Sequence, residues 1–103
     1  MNATNMCCVA HRNQLFTMES EVINSYMRVK AVADAARQGL TYNALQALNA
    51  TENAFNVSGV DGILAHSDWL IESFGDPKLG NIGRDALEHF DHCVKAYRRA
   101  CQH

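Results

Sequence analysis

The chain has 103 residues, of which 48% are hydrophobic and 19% charged, with a formal net charge of −2 and a pI near 6.2. This length fits one domain, and the mild acidity argues against a strong binder of nucleic acid or anionic membranes, which needs a basic surface. No apolar run reaches the roughly 18 residues of a membrane span, and no signal peptide is recognisable. The sequence therefore predicts a cytoplasmic protein whose four cysteines are thiols.

The first 13 residues are polar and without sustained periodicity, so we expect a flexible N-terminal tail ahead of a single helical domain over residues 14–103. A long helix follows, from Thr17 to Gly39. Thr17 is predicted to cap its start, and Gly39 to end it in a left-handed conformation. Its apolar side chains recur every three or four residues, as on one helical stripe: Leu15, Met18, Val22, Tyr26, Val29, Ala33 and Ala36.

Two helices are predicted next. Thr41 is a suitable N-cap for a second helix over residues 42–56. Residues 58–62 form either a turn or a kink within one longer helix, and Ser58 with Asp61 resembles a capping box. A third helix then covers residues 60–74. The apolar face of the second helix is predicted to consist of Tyr42, Leu45, Leu48 and Phe55.

The proline and glycines between residues 75 and 83 predict a loop. A fourth helix covers residues 84–101, with its apolar face formed by Ala86, Leu87, Phe90, Cys93, Val94, Tyr97 and Cys101. The predicted fold class is therefore all-α, a small bundle of three to four helices with a long first helix. Because the core is small and the charge low, we also expect a homodimer.

Potential metal ligands occur in three segments of the sequence. Cys7-Cys8-x-x-His11 and Cys101-x-His103 contain the residue types that bind zinc, but adjacent cysteines are not the usual knuckle spacing. His89, His92 and Cys93 are close on one helix, where Cys93 falls on the apolar stripe and the histidines flank it. We therefore predict no bound metal and no cofactor.

His66-Ser67-Asp68 contains the residue types of a catalytic triad in immediate succession. Consecutive helical residues point in different directions, so they cannot act as nucleophile, base and orienting group. The sequence contains no other pattern typical of an active site. We therefore predict that the protein is not an enzyme.

The remaining signal is a surplus of apolar side chains beside the core stripes. Methionine and aromatic residues are common at helical interaction surfaces, although a wide core face explains them almost as well. We predict that a protein partner binds these residues through apolar contacts: Phe16, Ile23, Met27, Trp69 and Leu70.

The length, cytoplasmic character, mild acidity and long first helix, Glu19 to Gln38, resemble the small helical antiactivators of quorum sensing of the QslA type. This resemblance implies a dimer that binds a LuxR-type transcription factor and blocks its dimerisation or DNA binding, with no catalysis, no cofactor and no direct nucleic-acid contact. One alternative is a phage- or plasmid-type inhibitor of a host nucleoprotein, such as an anti-CRISPR protein, acting through acidic side chains. A metal- or redox-responsive helical protein is a further alternative.

Overall fold

The computed structural model describes residues 3–75 and 80–102, and gives only the backbone for residues 3–10, 81 and 82. Four α-helices follow one another: α1 (Ala3–Ala35), α2 (Tyr42–Ser58), α3 (Val60–Ser73) and α4 (Gly80–Cys101), with a short 3-10 turn at Arg37–Gly39. These residues contain no strand. The predicted all-α fold with a long first helix is confirmed.

Helix α1 begins at Ala3, well before the predicted start at Thr17. No glycine or proline occurs among the first 38 residues, so nothing in this segment stops a helix that forms further along from extending toward the N-terminus. Thr17 is therefore not a cap, and its hydroxyl donates to the carbonyl oxygen of Asn13 one turn back, at 3.1 Å. The structure places residues 3–13 in α1, and the predicted flexibility of the N-terminal tail, residues 1–13, stays a prediction.

The corner between α1 and α2 differs from the prediction at Gly39. Helix α1 ends at Ala35, and Gly39 closes the 3-10 turn without adopting a positive φ angle. The predicted left-handed ending is therefore wrong, since a 3-10 turn completes the bend instead. Thr41 is confirmed as the N-cap of α2, because its hydroxyl accepts a hydrogen bond from the backbone N–H of Ala44 at 3.1 Å.

Helices α2 and α3 form a tight hairpin around Gly59. Its φ of 65° and ψ of −139° lie in a region that is essentially restricted to glycine, so the segment is a turn and not a kink. Gly59 also occupies the N-cap position of α3, with no side-chain cap, so the predicted capping by Ser58 is wrong. On α2, Tyr42 is exposed, and the buried positions are Ala44, Ala47, Leu48 and Thr51.

Helix α4 begins at Gly80, four residues before the predicted start at Arg84. The predicted loop is therefore shorter at its C-terminal end, and residues 76–79 lie outside the described part of the chain. Cys101 is exposed at the end of α4, which corrects its predicted place on the apolar face. The six other predicted residues of that face are buried: Ala86, Leu87, Phe90, Cys93, Val94 and Tyr97.

The core connects two helix pairs, since α1 packs mainly along α4 and α2 mainly along α3. Tyr26 of α1 lies between them, with its ring centroid 5.9 Å from that of Phe55 in α2 and 6.4 Å from that of Phe90 in α4. Such aromatic contacts add to the stabilisation from burial alone. The chain measures 57 × 28 × 18 Å, so its helices form a thin, elongated body with broad faces.

Candidate protein-binding surface

One side of α1 carries a row of exposed and half-buried side chains, which we call the α1 row: Arg12, Phe16, Ser20, Ile23, Met27 and Asp34. Their separations of three, four and seven residues place them on one side of a helix. Phe16 is 72% exposed and Met27 48% exposed, whereas Ile23 is half-buried against the core. Three of the five predicted binding residues therefore lie together on the surface.

Trp69 lies at a second apolar surface, which we call the Trp69 corner and which consists of Trp69, Tyr42 and Asn43. The indole N–H of Trp69 donates to Oδ1 of Asn43 at 3.1 Å, and Nδ2 of Asn43 donates to the hydroxyl of Ser73 at 2.9 Å. These bonds connect the start of α2 to the end of α3. Trp69 remains 37% exposed, with its indole N–H bonded to Asn43, and Tyr42, the chain neighbour of Asn43, is 78% exposed.

Leu70 does not belong to either surface. It is fully buried, in line with Ile63, Ser67 and Phe74 on the inner side of α3, so the prediction that it lies beside the core is wrong. The sequence analysis in turn missed Tyr42, which it assigned to the core face of α2. The sequence does contain a signal for the true buried face of α2. Its small residues Ala44 and Ala47 share a helical spacing with Leu48 and Thr51, and these four residues are the buried ones.

Lys30 occupies the same flank of α1 and forms an ion pair with Glu52 of α2. The hydrogen bond to Glu52 raises the pKa of the Lys30 ammonium above its ordinary value. Three further ion pairs involve Asp34 with Arg37, Asp91 with Lys95, and Asp68 with Arg98. These contacts match acidic with basic side chains locally, which weakens any extended acidic field.

The residues of the apparent triad His66-Ser67-Asp68 have separate partners. Nδ1 of His66 lies 3.0 Å from the carbonyl oxygen of Gly62. The hydroxyl of Ser67 donates to the carbonyl oxygen of Leu64 at 3.0 Å. Arg98 of α4 donates to the Ser67 hydroxyl at 2.9 Å and also contacts the Asp68 carboxylate. Ser67 is buried and held by Arg98, so this cluster connects α3 to α4 and does not expose a nucleophile.

The cysteines and histidines are also separated. Cys93 is buried, with its Sγ 3.7 Å from Nε2 of the exposed His89, and burial raises the pKa of the Cys93 thiol. Among the described side chains no three metal-ligating residues come together. The side chains of Cys7 and Cys8 and the whole of His103 lie outside the described part. The absence of a bound metal stays a prediction.

The described surface contains two depressions of a size that could hold a small ligand. One, of about 600 Å³, is lined by residues 34–39 at the corner between α1 and α2, and the other, of about 330 Å³, lies between Met18 and Arg99. Small-molecule sites are usually concave and lined by apolar and aromatic side chains. The first depression is lined by Asp34, Arg37, Gln38, two alanines and a glycine, so it contains no aromatic or large apolar side chain.

Comparison of the chain with known protein families, curated proteins and solved structures finds no match. Among the described residues, no helix is both long enough and apolar enough to cross a membrane. The function must therefore be inferred from the α1 row and the Trp69 corner themselves.

Proposed function

We propose that the protein is a cytoplasmic, non-catalytic interaction module that forms a homodimer and binds and inhibits a LuxR-type transcription factor. The observation that supports this proposal is the exposure of large apolar side chains on helices that already have a packed core. Phe16 and Met27 lie on α1, whereas Tyr42 and Trp69 lie on the α2–α3 hairpin. No cofactor takes part in the proposed function.

Buried aromatic and large aliphatic side chains usually carry most of the energy of a protein–protein interface. Trp69 is well suited to this role because its hydrogen bond to Asn43 holds the ring in place before any partner arrives. A side chain that is already ordered loses less conformational entropy on binding. The α1 row and the Trp69 corner lie on separate helices, so one surface can bind a second copy while the other binds the regulator.

The nucleic-acid-mimicking alternative requires an extended acidic surface. Four of the eleven acidic side chains, Asp34, Glu52, Asp68 and Asp91, form ion pairs with lysine or arginine of the same chain. The charges of these four side chains are balanced locally, which leaves less acidic charge for an extended acidic surface. Apolar contact with a protein surface fits this distribution better than imitation of a phosphate backbone.

The test is direct binding of the purified protein to purified LuxR-type regulators from the same genome, measured at low and high salt. We expect one regulator to bind with a Kd that changes little with salt, because apolar contacts are not screened. Operator DNA should be released from that regulator as the complex forms. Failure of every such regulator to bind at roughly 100 µM, near −5.5 kcal/mol, would contradict the proposal. Binding that weakens steeply with salt would instead support the acidic alternative.

A further inference from the structure

The chain exposes more surface than a globular protein of its mass. Its accessible surface is 6518 Å². A compact monomer of 11.4 kDa is expected to expose about 5,800 Å². The surplus of roughly 700 Å² reflects the elongated shape of the chain, 57 × 28 × 18 Å, which leaves helix faces uncovered.

The α1 row has opposite charges at its two ends. Arg12 lies eleven residues before Ile23, and Asp34 lies eleven residues after it. Phe16, Ser20 and Met27 occupy the intervening positions on the same side of α1. The two charged ends of the row are therefore symmetric in position about Ile23 and opposite in charge, which is the pattern that a self-complementary interface needs.

We propose that α1 pairs antiparallel with α1 of a second copy, with Ile23 on the twofold axis. This inference deepens the proposed function, since it rests on the self-association that the function includes. In this arrangement Arg12 of each copy faces Asp34 of the other, and Phe16 lies opposite Lys30 of the other, within one helical turn of its Met27. A parallel arrangement would place Arg12 beside Arg12 and Asp34 beside Asp34, and like charges in an interface are unfavourable.

Both end charges can reach a second copy. Arg12 is exposed, and Asp34 is exposed with its nearest ion-pair distance, Oδ1 to Nη1 of Arg37, at 3.7 Å. A contact of that length between exposed groups is weak and leaves the second carboxylate oxygen accessible. Lys30, the other cation on this flank, is already paired with Glu52 of its own chain. Arg12 is thus the cation best placed to meet Asp34 across the axis.

The decisive experiment reverses the end charges one at a time and then together. Sedimentation equilibrium should show a dimer for the unaltered protein. R12E and D34R should each raise the dimer Kd roughly tenfold at low salt, because two attractive pairs become two repulsive ones. The double variant R12E/D34R should return to within about threefold of the original Kd, since the pairs are restored with their signs exchanged. Raising the salt to about 1 M should remove most of these differences.

Two controls make the result specific to this face. R28E reverses an exposed arginine of α1 that lies outside the row, and should leave the dimer Kd within about threefold. M27E introduces a charge into the exposed middle of the row and should abolish the dimer, whereas V57E at the exposed Val57 of α2 should not. Thermal melting of each variant shows whether the fold is intact.

A monomer at every concentration would overturn the inference, as would a dimer that is insensitive to R12E, D34R and M27E. If R12E and D34R each raise the dimer Kd but the double variant R12E/D34R does not restore it, the antiparallel arrangement is wrong. Regulator binding is measured separately. A dimer that behaves as described but binds no LuxR-type regulator would therefore contradict the proposed inhibitory function and leave the pairing of α1 supported.

Discussion

Gly62 of α3 lies directly against the backbone of Ala54 in α2, and a Cβ atom on Gly62 would be 2.1 Å from the Ala54 carbonyl oxygen. Such a contact cannot be accommodated by a side-chain movement, because the obstacle is backbone. We expect Gly62→Ala to lower the free energy of unfolding by at least about 2 kcal/mol through overpacking. Urea denaturation of the purified variant measures this change.

Gly39→Ala is the matched control, since a Cβ at Gly39 meets nothing within 4 Å and the backbone there has no positive φ. It should be neutral or stabilise the fold by a few tenths of a kcal/mol, about the gain expected from a less flexible unfolded chain. Equal free energies of unfolding for Gly62→Ala and Gly39→Ala would mean that α2 and α3 do not pack in solution as closely as Gly62 and Ala54 do here.

Arg98 connects α4 to α3 through hydrogen bonds to the Leu64 carbonyl oxygen at 2.8 Å and the Ser67 hydroxyl at 2.9 Å. Arg98→Met keeps much of the apolar stem but removes the guanidinium that donates both hydrogen bonds. It should lower the free energy of unfolding by about 1–3 kcal/mol. Arg99→Met changes an exposed neighbour and should have an effect within about 0.5 kcal/mol. A similar small effect for both variants would argue against the Arg98 connection.

Local chemistry in the sequence predicted the starts of α2 and α3 but not the ends of α1, where the caps predicted at Thr17 and Gly39 are absent. Thr41 caps α2 because its hydroxyl reaches a backbone N–H three residues on, and Val60 starts α3 immediately after the glycine turn. Neither feature requires knowledge of a distant residue. The start of α1 was missed because the polar N-terminal residues show no apolar periodicity, although nothing in them prevents a helix.

The candidate surface was predicted only in part, because exposure depends on which helices pack together. Phe16, Met27 and Trp69 are exposed as expected, since each lies away from the buried stripe of its helix. Leu70 was assigned to the surface because periodicity alone does not locate the centre of a broad apolar face. Its burial depends on the direction from which the core contacts α3, which is a tertiary property.

The hydroxyl of Tyr26 is buried and has no hydrogen-bond partner among the described residues. A buried hydroxyl without a partner is unfavourable, so Tyr26→Phe should leave the free energy of unfolding unchanged or raise it by up to about 1 kcal/mol. Tyr26→Ala should lower it by about 3–5 kcal/mol, because it removes the ring between Phe55 and Phe90. Loss of more than about 1 kcal/mol in Tyr26→Phe would show that the hydroxyl is hydrogen-bonded in solution.

Alkaline pH should destabilise the fold through its buried tyrosines. Burial raises the pKa of Tyr26 from 10.0 to about 12, and raises the pKa of Tyr97 to about 12 as well. The unfolded chain releases these protons near pH 10 while the folded chain retains them. Their contribution to stability is therefore fully present below pH 10 and decreases as the pH rises toward 12. Denaturation across this pH range should show that the free energy of unfolding decreases less steeply with pH in Tyr26→Phe than in the unaltered protein. An equal slope for the two proteins would contradict the raised pKa of Tyr26.

Trp69 should contribute to regulator binding mainly through its exposed ring, and its hydrogen bond to Asn43 should contribute only a little, by ordering that ring. Trp69→Ala removes an aromatic anchor and should weaken binding by about 2 kcal/mol or more, roughly thirtyfold, as expected for an interface hot spot. Asn43→Ala is the matched control, because it deletes the acceptor of the indole N–H but leaves the ring. It should weaken binding only a fewfold, through the less ordered indole. Affinity unchanged by Trp69→Ala, in a variant whose melting temperature shows an intact fold, would place the regulator elsewhere on the protein.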